Sequence, residues 1–476
     1  MWMIIILGLF MAQSITVLFA EYRNPSKTVA WLTIMIIIPV IGLVLYYFLA
    51  QGYKKKRRVK HAGGQMSTQT RAFLASLTQQ VGQLRELDER MVRDHQRAFS
   101  YLESLDDAPM TLRNEVTVYV DSNETYTAML AAIVQAVDHI HFQFYTIRSD
   151  QVGQRFQELL IAKAHAGVQV RVLYDGVGST QLNKSFVHEM IQAGIEVSSF
   201  LPPFIAFFDK RVNFRNHRKI VVVDGKVGFM GGLNIGKEYI GEDPRLGYWR
   251  DTHMRIRGDA VYYMQHMFVM DWALSSGKSI MELPRYYPEH RVRGPEVVQM
   301  IASGPDKHVD AILDMFFTAI ASATRSIYLT SPYFIPDSSI MMALKTAARS
   351  GVDVQIIIPC RADLQLVHWA SLSYIEEMQQ AGVKCYLYHK GFIHSKVLII
   401  DEVMATVGTA NMDMRSFFSN FELNAVLFDP NTIAILLQNF QEDLGHSLLL
   451  KQDDTNNRTT LQRIKKVGAR LLSPLL

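Results

Sequence analysis

His217-Arg218-Lys219-Ile220-Val221-Val222-Val223-Asp224 and His394-Ser395-Lys396-Val397-Leu398-Ile399-Ile400-Asp401 are one pattern written twice in a chain of 476 residues. In each copy the His stands seven residues before the Asp and seventeen before an Asn, at Gly231-Gly232-Leu233-Asn234 and Gly408-Thr409-Ala410-Asn411. A lone His-x-Lys is common by chance, but two copies that keep both longer spacings imply a shared geometry. The duplication reaches outward: Ala166-Gly167-Val168-Gln169-Val170-Arg171-Val172 answers Ser350-Gly351-Val352-Asp353-Val354-Gln355-Ile356, and Glu189-Met190-Ile191-Gln192-Ala193-Gly194-Ile195 answers Glu377-Met378-Gln379-Gln380-Ala381-Gly382-Val383. Each reads as a helix that ends at glycine and runs into a strand. A period of about 180 residues is the scale of duplicated domains. The pattern predicts an α/β fold: two lobes with mixed β-sheets flanked by helices, related by a pseudo-twofold axis.

The residue types suit phosphorus chemistry. Four apolar residues follow each Lys and read as a buried strand, on which residues two apart share a face, so His and Lys are expected to project together. A neutral imidazole is a competent nucleophile toward phosphorus, and an ammonium neutralises the non-bridging oxygens. The Asn amide donates to the same oxygens without adding charge. Two such sets across a pseudo-twofold axis put a His on either side of one phosphorus: one attacks, the other protonates the departing alcohol, and the proton then returns as a second alcohol arrives. Asp224 and Asp401 close their strands too far along the chain to be assumed in contact with phosphate. They are expected to form strand-end ion pairs, as motif members and not chemical actors.

The rest of the chain bears on where this chemistry happens. With 49% hydrophobic and 20% charged residues, any membrane segment is a minority of the length. The net charge of +4 tilts the protein mildly toward anionic partners. Cys360 and Cys385 form no CxxC pair, so neither a disulfide framework nor a thiolate zinc site is expected. Trp2 to Ala20 and Thr28 to Ala50 lack charged side chains, and each is long enough to span a bilayer as a helix. The first lacks the basic start of a signal peptide. Lys54-Lys55-Lys56-Arg57-Arg58-Val59-Lys60 then places the downstream residues in the cytoplasm. Residues 1–61 are thus read as a transmembrane hairpin with a basic flank, 62–111 as a helical linker, and 112–290 and 291–476 as the two lobes. The second lobe ends in an amphipathic helix, with Leu461, Ile464, Val467, Leu471, Leu472 and Leu475 at helical spacing among basic residues. Pro202-Pro203-Phe204-Ile205-Ala206-Phe207-Phe208 reads as an apolar loop before the basic set Lys210, Arg211, Arg215, Arg218 and Lys219. Gly277-Lys278-Ser279 has Trp272 where a phosphate loop needs its first Gly, and His188-Glu189 lacks the second His of a zinc-protease motif. No stretch interleaves aromatic and basic residues as a nucleic-acid groove would.

The duplicated His-x-Lys-x4-Asp with its trailing Gly-x-x-Asn resembles the phospholipase D superfamily. Arg23-Asn24-Pro25-Ser26, Arg215-Asn216-His217-Arg218-Lys219, Gly247-Tyr248-Trp249-Arg250-Asp251-Thr252-His253 and Ala469-Arg470-Leu471-Leu472-Ser473-Pro474-Leu475-Leu476 extend the likeness, over nearly the whole chain, to its bacterial cardiolipin synthases. The resemblance implies a phosphatidyltransferase of the bacterial cell membrane, with cytoplasmic lobes, that converts two phosphatidylglycerol molecules to cardiolipin and glycerol through a phosphohistidine. A phospholipase D-type hydrolase, or a transfer to another alcohol, is the alternative. It implies no metal, no nucleotide or other cofactor, and no nucleic acid; the partners are anionic phospholipids and the bilayer. The catalytic set it implies is His217, Lys219, Asp224, His394, Lys396 and Asp401, with Asn234, Asn411, Asp251 and Glu422 binding phosphate or orienting the histidines.

Overall fold

The computed structural model describes residues 2–20, 25–49, 94–105, 107–202, 214–280, 285–292, 294–307, 309–451 and 460–475. The basic flank at 54–60, most of the expected linker and the apolar loop at 203–208 lie outside the described residues, as do Lys210 and Arg211.

Strand formation follows the apolar runs, and the repeat appears as identical strand order in the two halves. In the first half, neighbouring strands are Glu196–Phe200, Gln169–Asp175, His139–Phe144, Ile220–Val223, Val227–Gly231, His253–Gly258 and Met110–Tyr119. In the second they are Lys384–Tyr388, Asp353–Pro359, Ser326–Thr330, Val397–Ile400, Met404–Gly408, Asn420–Leu427 and Glu296–Ser303. Met110–Tyr119 pairs antiparallel with Glu296–Ser303, which welds the halves into one mixed sheet of 16 strands instead of one sheet per lobe. Pairing is parallel from His139–Phe144 outward, where helices cross over, and antiparallel inward. The repeated glycines Gly167, Gly194, Gly351 and Gly382 all have φ between 87° and 93°, the left-handed turn that ends a helix before a strand.

One face of the first half has an apolar core of its own, while Ile220, Val222, Met230, Met254 and Ile256 on the other face join a core shared with the second half. Phe142, Phe144, Val221 and Phe229 pack beneath the helices Ser122–Val134 and Gln151–His165. Ile327, Ile356, Leu398 and Val407 do the same beneath Ala311–Ser322 and Ser338–Arg349. Only the end of the expected linker is described. There the helix Gln96–Glu103 docks on the second half, burying Ala98, Phe99 and Leu102, with the Phe99 ring 5.2 Å from that of Phe428.

The amino-terminal hairpin departs from expectation. The second apolar stretch, expected as one span from Thr28 to Ala50, breaks into the helices Pro25–Ile37 and Pro39–Leu49. Pro39 has no N–H to continue the ladder and its ring obstructs the preceding turn. Gly42 lets the second helix lie against the Met35 backbone, so that Tyr46 meets Trp31 edge-on at 5.3 Å. Among the described residues, no helix is long and apolar enough to cross a membrane.

Candidate active site

Each motif histidine is delivered by a short strand that pairs with the other half of the chain. Arg215–Asn216 runs parallel to Asn420 and Phe421, and the His217 N–H donates to Phe421 O at 3.0 Å. Gly391–Ile393 runs parallel to Tyr248–Arg250, and the His394 N–H donates to Arg250 O at 2.7 Å. This exchange sets the carboxylate of one half against the imidazole of the other. His217 Nδ1 lies 3.0 Å from both carboxylate oxygens of Glu422, and His394 Nδ1 lies 2.7 Å from Asp251 Oδ2. A proton held on Nδ1 by a carboxylate leaves Nε2 as the basic nitrogen, the tautomer that nucleophilic attack requires.

The carboxylates are themselves held. Glu422 accepts from Thr409 Oγ1 at 2.6 Å and Asn420 Nδ2 at 3.1 Å. Asp251 accepts from the Thr252 N–H at 2.8 Å and Trp249 Nε1 at 3.4 Å. Gly232 and Thr409 occupy equivalent places in the two motifs. A Cβ at Gly232 would overlap Asp251 Oδ1, so the first motif needs glycine there, while the second uses the same position to donate to its longer acid.

The His-x-Lys segments precede their strands, which start at Ile220 and Val397. Each Lys nevertheless stays with its His: Lys219 Nζ donates to His217 O at 2.7 Å, and Lys396 Nζ to His394 O at 2.5 Å. Burial lowers Lys219 to about 7, with the Lys396 charge adding to it and Glu422 and Asp251 opposing. Burial likewise lowers Lys396 to about 8 against the pull of Asp251 and Glu422. Burial holds His217 below its ordinary value, with Glu422 opposing. His394 is pushed to about 3 by burial and by Lys396. Burial works to raise Asp251 and Glu422, but their histidines and lysines outweigh it and keep both below the usual carboxylate range. Lys396 acts on His217, and Lys219 on His394, so both motifs share one electrostatic site.

Asn234 Oδ1 accepts from the Thr146 N–H at 3.1 Å. Asn411 Oδ1 is buried without a hydrogen-bond partner among the described residues, a polar atom that a substrate hydroxyl can satisfy. Asp224 and Asp401 correct the ion-pair expectation. Asp224 accepts the N–H groups of Val137, Asp138 and His139, and Asp401 those of Thr324, Arg325 and Ser326. Each clamps the turn that opens the neighbouring strand, at the end of its own strand away from the His. Among the described residues, Asp401 alone of the two also has an ion-pair partner, His95 Nε2 at 3.4 Å. Among the described residues, no group of three or more His, Cys, Asp or Glu is placed to hold a metal ion.

Several contributors escape a reading by motif. Tyr145 meets the His217 ring edge-on at 5.1 Å, and Trp249 meets the His394 ring tilted at 5.0 Å. Tyr145 and Tyr333 follow equivalent strands of the repeat, a signal that aligning the halves exposes. Of the basic set, Arg215 and Arg218 are held by carboxylates and carbonyls and do not line an open phosphate path. Arg215 lies 3.6 Å from Asp175, and the buried Arg218 donates to Asp271 at 2.6 Å, Glu422 O at 3.1 Å and Ser303 O at 3.1 Å. Arg218 thereby ties the first motif to the strand that carries the second half's acid.

Comparison with known proteins gives the family of the chain. A family model described as cardiolipin synthase, phospholipase D-like domain, matches residues 129–245 and 316–444, and one described as phospholipase D-nuclease N-terminal matches residues 2–51. A cardiolipin synthase of Alkalihalophilus pseudofirmus is 42% identical, over 100% of this chain and 95% of its own length. The major cardiolipin synthase of Bacillus subtilis is 38% identical, over 97% of this chain and 96% of its own. Among solved structures, a phosphatidylserine synthase of Haemophilus influenzae has a TM-score of 0.62 at 14% identity, covering 80% of this chain and 100% of its own, a likeness of fold.

Proposed function

Because this chain belongs to the bacterial cardiolipin synthases built on phospholipase D-like domains, we propose that it transfers a phosphatidyl group from one phosphatidylglycerol to a second, giving cardiolipin and glycerol. The observation that carries this reading is the crossed pair His217–Glu422 and His394–Asp251, with both lysines in one buried site.

His217 is assigned as the nucleophile. Its Nε2 attacks phosphorus and forms the P–N bond as the P–O bond to the departing glycerol breaks. His394, protonated, gives its proton to that oxygen. The loosely held proton on His394 suits it to this donation, and the bound phosphodiester anion supplies the negative charge that lets the ring hold a proton beforehand. The terminal hydroxyl of the second phosphatidylglycerol then passes its proton to His394, attacks phosphorus and frees His217. Lys219 and Lys396 neutralise the non-bridging oxygens, and the amides of Asn234 and Asn411 donate to them. Asp251 and Glu422 position the rings, while Asp224 and Asp401 serve the scaffold. One phosphodiester replaces another, so no energy-rich donor is required.

The amino-terminal apolar segment holds the lobes at the bacterial cell membrane, and the basic flank keeps them on its cytoplasmic side. Incubation with phosphatidylglycerol labelled in both glycerol moieties tests the function. Labelled cardiolipin with free glycerol is the expected outcome; phosphatidic acid alone makes the chain a hydrolase. His217→Ala or His394→Ala should abolish product, and unchanged turnover refutes the assignment.

A further inference from the structure

The helix Thr460–Leu472 is docked by its charged side and not by its apolar one. At 100° per residue, Lys466, Ala469 and Arg470 share one face. Lys466 pairs with Glu376, Arg470 donates to Glu377 at 2.9 Å and lies over the Tyr374 ring at 3.4 Å, and Ala469 is buried. Tyr374 Oη is 2.9 Å from Ser473 Oγ just beyond. These contacts fix the helix to Gln365–Gln380 of the second half. The opposite face turns Leu461, Ile464, Val467 and Leu471 to solvent, the first three 61, 63 and 58% exposed. They occupy an arc of roughly 120°, with Arg463 and Lys465 at its two borders. An aqueous fold has no reason to spend its ion pairs holding an apolar stripe outward; a lipid interface accounts for both the stripe and its basic borders.

We propose that this helix lies in the interface of an anionic phospholipid bilayer and fixes the second half against the membrane that holds the substrate. The carboxy-terminal end of the helix packs against the amino-terminal apolar helices. Leu475 packs against the cluster of Val17, Trp31, Met35 and Tyr46, and Ile36, Ile37, Val40 and Ile41 are exposed beside it. The two ends of the chain thereby form one lipid-facing surface, joined to the catalytic lobes through Glu376 and Glu377. The inference rests on the proposed membrane association and adds a second, rigid contact to it.

Two variants of the full chain test it. Leu461→Glu with Val467→Glu should lower turnover of phosphatidylglycerol in vesicles tenfold or more, while turnover of a short-chain, monomeric phosphatidylglycerol stays unchanged. Ile464→Trp should add an indole emission that shifts blue on mixing with phosphatidylglycerol vesicles and is quenched by brominated acyl chains. Full vesicle turnover in the charged variant, or an introduced indole that lipid bromines do not quench, overturns the proposal. So does a charged variant that merely converts a dimer to a monomer, since the stripe is then covered by a second copy. If the charged variant fails to fold, both substrates are lost and the indole decides. A parent chain inactive on both substrates refutes the transferase reading, whereas the quenching experiment still reports on the helix.

Discussion

His217 and Glu422 stand 205 residues apart in the chain and 3.0 Å apart in space. With His394 and Asp251, 143 residues apart and 2.7 Å away, they make the carboxylate–imidazole contacts run between halves. Each half thus relies on the other for the carboxylate that holds its histidine's Nδ1 proton, and the halves are joined by Met110–Tyr119 with Glu296–Ser303 and by the two short strands that deliver the histidines.

Neutralising either acid should therefore disable the ring in the opposite half. Glu422→Gln and Asp251→Asn keep the size of the side chain but lose the charge that fixes the Nδ1 proton. Each should lower kcat by about 10²- to 10⁴-fold with little change in KM for phosphatidylglycerol, measured as steady-state cardiolipin formation. A loss confined to KM would mean that these acids bind substrate instead.

Gly232 and Thr409 should respond unequally to substitution. Gly232→Ala forces Asp251 away from His394 and should lower kcat by about tenfold or more. Thr409→Ser keeps the hydroxyl that donates to Glu422 and should retain most activity, while Thr409→Val leaves a buried carboxylate one donor short and should not. Equal rates for Gly232→Ala and the parent would show that the close approach to Asp251 is immaterial.

What the amino-acid sequence discloses about this fold is what repeats. The spacings of seven and seventeen residues, and the glycines that end helices before strands, mark equivalent strands, and the strand order is the same on both sides. The crossing is invisible there, because a pairing between residues 143 or 205 apart leaves no local pattern, and a pseudo-symmetric motif suits an acid from either half equally. Asp224 and Asp401 are legible as motif members but not as clamps, since their partners are backbone N–H groups that carry no residue signature. The second apolar stretch is a different failure. Its hydropathy is uniform, and one proline with Gly42 decides that it folds back on itself.

The lowered lysines make the site alkali-sensitive in a range where ordinary lysines are indifferent. Lys219 near 7 and Lys396 near 8 lose their protons as pH rises, and with them the charge that receives the phosphodiester. The kcat/KM profile, which reports the free enzyme, should fall on its alkaline side with a midpoint between about 7 and 8. A plateau reaching pH 10 would place no titrating ammonium at the phosphate.

Asp401→Ala should cost stability and spare chemistry. Three strand-opening N–H groups lose their acceptor, which costs on the order of 3 kcal/mol and several degrees of Tm. Because those bonds keep the Asp401 carboxyl below its usual value, its contribution is present above the unfolded-state pKa of about 3.9 and is lost as pH falls through the folded value. Thermal melts across pH 3 to 7 check this: parent and variant should converge in acid. A variant of undiminished Tm whose kcat collapses would return Asp401 to the chemistry.

The central claim, that both imidazoles serve one phosphorus atom, is tested most directly by counting covalent adducts. Rapid mixing with phosphatidylglycerol labelled at phosphorus, an alkaline quench and mass-spectrometric peptide mapping should find at most one phosphatidyl group per chain, on His217, and none in His217→Ala. Two adducts on one chain, or an adduct on His394 that turns over in His217→Ala, would mean two independent sites and would contradict the account.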